Sequence, residues 1–188
     1  MIDSVKHAQS IVGTNNDGGR PEDDWYPTPV PTTKALLNVE KFNGSVWECA
    51  CGNGAMSKVI ERAGYSVIST DKYPKGSGTE LDYLYASELL ADNIMTNPPF
   101  DLLSEFIERS YALKLEKFCF FGKLAVLEGV DRSEILERTH LTRVWVFRQR
   151  QNLYRNGIDA KPSAGGMIAF AWFVWERGYR GKPEIGWI

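Results

Sequence analysis

From Ser45 onward, short apolar runs alternate with stretches of helical period: SVWECA, AMSKVIERAG, YSVIST, ASELLA, NIMTN, LLSEFIERSYALKL and FCFFGKLAV. Strand-like runs alternating with helices too short to stand alone belong to a doubly wound parallel sheet, so the class is α/β. Two more strands are expected at Arg143–Arg148 and Met167–Trp175, joined by QRQNLYRNGIDAKPSAGG, which has no helical period. Parallel neighbours need a structured crossover of a dozen or more residues, so this closing pair is expected to be antiparallel.

Ahead of the sheet, residues 1–24 read as a flexible arm: NNDGGRPEDD offers neither a helical nor a strand period. Residues 25–188 read as a single domain that becomes ordered near Trp25. A helix is expected after Pro31, capped by Thr32 or Thr33, with Leu36, Leu37 and Val39 buried. Hydrophobic residues make up 43% of the 188 and charged residues 24%, which is enough apolar surface for a folded core. The longest apolar run, Met167 to Trp175, is far short of the ~20 residues that span a bilayer, and MIDSVKHAQS lacks a signal-peptide core. A soluble, cytoplasmic protein with no membrane partner is the expectation.

The 22 basic and 24 acidic residues leave a net charge of −2, so an anionic partner must be held by a local patch. Cys49 and Cys51 form a C-x-C, and Cys119 lies in the apolar FCFFG, so no paired C-x-x-C units exist to build a zinc site. His7 and His140 have no neighbours that make a ligand set or a Ser/His/Asp group. No metal is expected.

Ligands of an open α/β sheet bind beyond the carboxyl ends of its strands. After the first strand stands Glu48-Cys49-Ala50-Cys51-Gly52-Asn53-Gly54, with a helix beginning near Ala55. Its glycines permit a tight turn and close ligand approach, and the helix start favours an anion; the same residues also suit a plain strand-to-helix turn. A dinucleotide fingerprint would need glycine where Ser57 stands. Glu48, at the end of a buried strand, requires a partner. Asp71 ends the second strand, where an acid accepts from ribose hydroxyls or caps a helix. Asp82, beside Tyr83, suits an exocyclic amine or a surface turn.

The fourth place is the most informative: Asn97-Pro98-Pro99-Phe100 follows Ile94-Met95-Thr96. Two prolines hold the backbone extended without N–H groups, leaving the Pro98 carbonyl as an acceptor beside the Asn97 side-chain carbonyl, with the Phe100 ring adjacent. These are the parts that hold a flat amine, although Asn-Pro-Pro also makes a bare turn.

Taken together, Glu48 to Gly54, Asp71, Asp82-Tyr83 and Asn97 to Phe100 resemble the class I S-adenosylmethionine-dependent methyltransferases of exocyclic amines, with their E-x-x-x-G-x-G and N-P-P-F/Y motifs. Trp25-Tyr26-Pro27-Thr28-Pro29 is similar to the motif those enzymes place before the cofactor loop, and AGGMIAFAWFVWERGYRGKPEIGWI to small DNA N6-adenine methyltransferases of phages and prophages. The resemblance implies a Rossmann-like, mostly parallel seven-stranded sheet with an antiparallel last strand. It also implies a cytoplasmic enzyme of a bacterial or phage-infected cell.

Cofactor contacts are implied for Trp25, Tyr26 and Thr28, for Glu48, Cys49, Ala50, Gly52 and Gly54, and for Asp71, Lys72, Asp82, Tyr83 and Asn97. Within that set, Thr28 would take the methionine carboxylate, Glu48 would lie near the ammonium, Asp71 would hold the ribose, and Asp82 would accept from the adenine amine. The catalytic set implied is Asn97, Pro98, Pro99 and Phe100, with Asn97 and the Pro98 carbonyl accepting from the target amine and Phe100 stacking on its base. Position 49 is Cys where that pattern usually carries proline, and position 53 is Asn where an acid is common. No recognisable target-recognition stretch follows the sheet.

A DNA partner implies an extruded base and cations for the phosphates. Arg143, Arg148, Arg150, Arg155 and Lys161 stand in or beside the late loop with only Asp159 opposing; Tyr154 is a candidate second stacking ring, and Lys123 a further phosphate contact. The loop equally suits a solvated surface. The function expected is methylation of adenine N6 in DNA. The alternatives are the same chemistry on an RNA base or a protein glutamine, and a non-catalytic module that binds cofactor or nucleic acid.

Overall fold

The computed structural model describes residues 25–151, 153 and 168–188. Eight strands form one sheet: β1 Val46–Glu48, β2 Val67–Asp71, β3 Thr79–Glu80, β4 Asn93–Thr96, β5 Lys117–Lys123, β6 Arg143–Val146, β7 Phe170–Glu176 and β8 Glu184–Trp187. Four helices are described: α1 Val30–Val39, α2 Ala55–Arg62, α3 Leu103–Ala112 and α4 Val130–Arg138. The strand order is β3-β2-β1-β4-β5-β7-β6-β8. Strands β1 to β5 pair in parallel, while β7 lies antiparallel between β5 and β6. The closing pair is therefore antiparallel as expected.

The sheet has one strand more than the seven expected, because β8 pairs in parallel with the outer side of β6. The antiparallel strand is thus β7 and not the last one. A side chain at Gly186 would strike the ring of Trp145, so β8 seats there only as glycine.

Side chains of period two divide the core between the two faces of the sheet. Phe118, Phe120, Phe173 and Trp175 face α3 and α4, meeting Phe106, Ile107 and Leu136. Cys119, Phe121, Trp172 and Val174 face α1 and α2, meeting Leu36, Met56 and Ile60. This alternation is why strands so apolar can be covered on both sides.

Three local expectations are corrected. Helix α1 begins at Val30, before Pro31, and has no side-chain cap. A proline lacking an N–H fits the first turn, so the helix starts ahead of it and the two threonines fall inside. Thr32 and Thr33 are buried; Thr32 Oγ1 donates to Gln151 Oε1 (2.9 Å), and its carbonyl accepts from Trp172 Nε1 (3.0 Å). Val39 is 40% exposed. The stretch ASELLA is not helical: a 3₁₀ turn at Tyr83–Tyr85 precedes it, and the chain from Ala86 to Ala91 runs irregularly, with both alanines buried.

A cluster of charges ties α1 to the amino ends of β5 and β6. Glu40, just past α1, accepts from Arg143 Nε (2.6 Å) and Nη2 (3.0 Å), from Lys117 Nζ (2.8 Å) and from Trp145 Nε1 (2.9 Å). Burial pushes its carboxyl up, but the bonds from Arg143, Lys117 and Trp145 outweigh burial and leave it below the ordinary value. Arg143 also reaches Glu176 (2.9 Å). Arg143 is thus a structural cation at the end of the sheet opposite Asn97, and not a member of the late-loop patch.

Candidate functional site

The glycine turn is held at the carboxyl ends of β1 and β2 by main-chain bonds: Cys51 N–H to the Thr70 carbonyl (3.0 Å), Gly54 N–H to the Cys51 carbonyl (2.7 Å), and Lys75 N–H to the Gly52 carbonyl (3.0 Å). Gly52 and Gly54 have φ of 52° and 73°, in the left-handed region. A Cβ on Gly54 would come within 2.3 Å of Ser77 Oγ, and one on Gly52 would press at 3.4 Å on the Trp25 ring. Trp25 therefore covers the turn that follows β1.

Glu48 is 2% exposed and accepts from the Ser57 hydroxyl. Ser57 Oγ lies 2.7 Å from Ser69 Oγ, so an acid, α2 and β2 share one hydrogen-bonded cluster. Burial, opposed by the Ser57 bonds and aided by the charges of Asp71 and Glu61, pushes the Glu48 carboxyl up to about 8. Neither serine is legible as a partner from sequence, although Ser57 stands one helical turn into α2.

Asp71 accepts from Gly52 N–H at Oδ2 (2.8 Å) and from Tyr73 N–H at Oδ1 (2.7 Å). Each oxygen keeps a second lone pair for a hydroxyl. Asp82 accepts from Leu84 N–H at Oδ1 (3.1 Å) and pairs with exposed Lys72 through Oδ2 (3.0 Å). These two acids stand on one side of the glycine turn, joined through the bond from Leu81 N–H to the Asp71 carbonyl (2.9 Å).

Tyr83 and the Cys49 side chain are instead buried in the core. Tyr83 is 1% exposed, bonded through its hydroxyl to Ser110 Oγ (2.6 Å) and packed edge-on against Trp47. The 3₁₀ turn carries it under the sheet, away from Asp82. Cys49 points into the same core, and burial raises its thiol well above the ordinary range. Cys51 donates to the Ser77 carbonyl (3.4 Å), and burial pushes it up to about 12. Ala50, half-buried, packs against the core beside Cys49.

Beyond β4, Asn97 is half-buried and its Nδ2 donates to the Tyr26 carbonyl (3.1 Å). That bond leaves Oδ1 facing elsewhere, and neither Oδ1 nor the buried Pro98 carbonyl accepts a hydrogen bond among the described residues. Pro99 is exposed and its carbonyl accepts from Leu102 N–H (3.0 Å), starting the turn into α3. Phe100 is half-buried beside Phe170, with ring centroids 5.9 Å apart, and Lys123 Nζ sits 5.3 Å from its centroid. Thr28, buried, lies in the segment that leads from Tyr26 into α1.

Arg148 and Arg150 are exposed past the carboxyl end of β6, with Arg148 N–H bonded to the Ile188 carbonyl (2.8 Å). Tyr154, Arg155, Asp159 and Lys161 lie outside the described residues. The structure thus brings Trp25, Tyr26, the glycine turn, Asp71 and Asn97 together, with Phe100 and Lys123 next to them.

These residues fit S-adenosylmethionine: the glycines lack the Cβ that would fill the turn, Asp71 keeps lone pairs for hydroxyls, and an indole covers Gly52. No family model matches the chain. No curated protein matches it in sequence. Solved structures do match. A protein from Pyrococcus horikoshii described as an RNA methyltransferase is 14% identical, over 92% of this chain and 98% of that one, with a TM-score of 0.59. The M protein of the type I restriction enzyme EcoKI is 15% identical over 81% of this chain and 44% of its own, with a TM-score of 0.60. A TehB-like SAM-dependent methyltransferase from Corynebacterium glutamicum is 14% identical over 94% and 97%, with a TM-score of 0.50. The chain spans about half the length of the type I modification subunits it resembles. Among the described residues no helix is long and apolar enough to cross a membrane. The mixed eight-stranded α/β sheet, with its antiparallel β7 set between β5 and β6, is the Rossmann-like fold of the SAM-dependent methyltransferases.

Proposed function

We propose that the chain is an S-adenosylmethionine-dependent methyltransferase that modifies the N6 amine of adenine in DNA. One observation carries this reading: the Asn97 amide donates through its NH₂ to the Tyr26 carbonyl, which leaves its oxygen, like the Pro98 carbonyl, without a hydrogen-bond donor among the described residues. An amine with two hydrogens satisfies both. The EcoKI M protein, whose enzyme class is adenine-specific DNA methylation, supports DNA as the substrate.

When bound, S-adenosylmethionine supplies a methyl group on a positively charged sulfur. Thr28, Gly52 and Gly54 would hold its methionine part with Glu48 near the ammonium, Asp71 its ribose and Asp82 its adenine. The protein's task is to make N6 nucleophilic, since its lone pair is delocalised into the ring. Asn97 Oδ1 and the Pro98 carbonyl each accept one N6 hydrogen, which favours a tetrahedral nitrogen and gathers the lone pair on the side away from them. The surplus proton leaves the methylated nitrogen to water, so no strong base is required beforehand. Phe100 stacks on the extruded base, and Lys123 yields the ring face and turns to a phosphate.

The RNA methyltransferase from Pyrococcus horikoshii favours a second reading, the same chemistry on an RNA base. Methyl-labelled S-adenosylmethionine, offered with unmethylated plasmid DNA, RNA or cell protein in separate reactions, distinguishes them. N6-methyladenine in the DNA digest, lost with Asn97→Ala, is the expected result. Label confined to RNA or protein would overturn the DNA assignment.

A further inference from the structure

Next to Phe100, between the first turn of α3, the 3₁₀ turn Leu124–Leu127 and α4, lies a cleft of about 310 Å³. Apart from Phe100 and Lys123 at its edge, its lining residues have no role assigned above. Its apolar lining comes from Leu103, Ile107, Val126, Ile135 and Leu136, and Lys123, Arg132, Asp101 and Ser104 supply its polar groups. Arg132 is oriented by one main-chain contact: its Nε donates to the Glu128 carbonyl (2.6 Å). Helix α3 opens at the cleft's rim without a side-chain cap.

These features select one ligand class. A free phosphate needs no apolar floor, and an apolar peptide needs no paired cations. A nucleotide unit needs both, because its base is flat and apolar on its faces while its phosphate is anionic. The volume is at the lower bound of small-molecule pockets, which suits one base. Lys123 also touches Phe100, so the cation at this rim is the one beside the ring proposed to stack on the target.

We propose that this cleft is a second nucleotide subsite. It holds the neighbour of the target adenosine, with that base on Leu103, Ile107 and Leu136 and its phosphate between Lys123 and Arg132. The identification of the occupant as a neighbour in the substrate strand rests on the nucleic-acid reading above; the nucleotide chemistry of the cleft stands on its lining.

The test uses the full chain saturated with S-adenosylhomocysteine, and thymidine 5′-monophosphate as the probe, since thymine has no exocyclic amine for Asn97 and Pro98 to grip. Methyl resonances of Ile107, Ile135 and Leu136 are followed during the titration. They are expected to shift with a Kd of about 1 mM, the scale of a single weak anchor. Arg132→Gln should weaken the monophosphate at least fivefold and leave thymidine unchanged. Unmoved Ile135 and Leu136 methyls, or equal affinity in wild type and Arg132→Gln, would overturn the subsite. A failure of the DNA reading shows separately, as unlabelled DNA in the methyl-transfer assay, and does not alter these shifts.

Discussion

The side-chain NH₂ of Asn97 donates to the main-chain carbonyl of Tyr26 across 3.1 Å, joining residues 71 positions apart into one wall of the site. The bond determines which way the amide faces. Asn97→Ala removes an acceptor and should lower kcat by about 10²–10³, the range for deleting one preorganised polar contact. Asn97→Asp should be as damaging, because a carboxylate offers the Tyr26 carbonyl no donor and leaves two acceptors facing each other. Single-turnover kinetics read both; a kcat within threefold of wild type for either variant would remove Asn97 from the catalytic set.

Glu48 should make the protein less stable as pH rises. Its carboxyl is raised from 4.5 to about 8 in the folded state, chiefly by burial. Between those values the unfolded chain has lost a proton that the folded chain retains, so stability falls across that window and levels off above it. Glu48→Gln should flatten the decline. Urea midpoints measured from pH 5 to 8.5 for both proteins provide the check, and parallel curves would contradict it.

A methyl group at Gly54 meets two obstacles, a φ of 73° and Ser77 Oγ at 2.3 Å. The left-handed backbone alone costs an ordinary residue about 1–2 kcal/mol, and the clash displaces the 73–78 segment that covers the turn. Gly54→Ala should therefore lower the melting temperature and weaken S-adenosylhomocysteine at least tenfold by calorimetry. Unchanged binding would place the cofactor elsewhere.

Removing Glu40 leaves Arg143 and Lys117 without their principal counter-charge. Breaking one side of a buried ion cluster costs about 3–5 kcal/mol, so Glu40→Gln should unfold at markedly lower denaturant. Because the Glu40 carboxyl is held below its ordinary value of 4.5, its contribution is present above that value and fades as pH falls through the folded value. The stability gap between wild type and Glu40→Gln should accordingly narrow in acid.

Tyr83→Phe separates a core residue from a binding one. It deletes the hydroxyl bonded to Ser110 and should cost about 1 kcal/mol without changing cofactor affinity. A calorimetric titration that showed weaker cofactor binding would return Tyr83 to the site.

What could be read from the chain alone follows from how local each feature is. Glu48, Asp71 and Asn97 stand at strand ends, and a strand end is marked by a few adjacent residues. The fate of Arg143 depends on Glu40, 103 residues earlier, and nothing near Arg143 separates a structural cation from a phosphate ligand. The burial of Tyr83 is hidden for a similar reason: it adjoins Asp82, but the 3₁₀ turn carries its ring into the core against Ser110. Helix α4 buries only Leu136, and β8 exposes Ile185 and Trp187 at 58% each, so neither has the apolar period that betrays an element. The Phe100 cleft is assembled from α3, α4 and the end of β5 and has no contiguous motif.

The reversed direction of β7 governs how such a molecule can diversify. Strand β6 leaves the sheet, and β7 re-enters it, on the side where Asn97 and the glycine turn lie. Both strand ends that flank residues 147–169 are therefore fixed at that edge, and a change in the length between them leaves the ladder beneath in register. Under the proposed function, a new preference for flanking sequence can thus be grafted at one seam, leaving the glycine turn as it was.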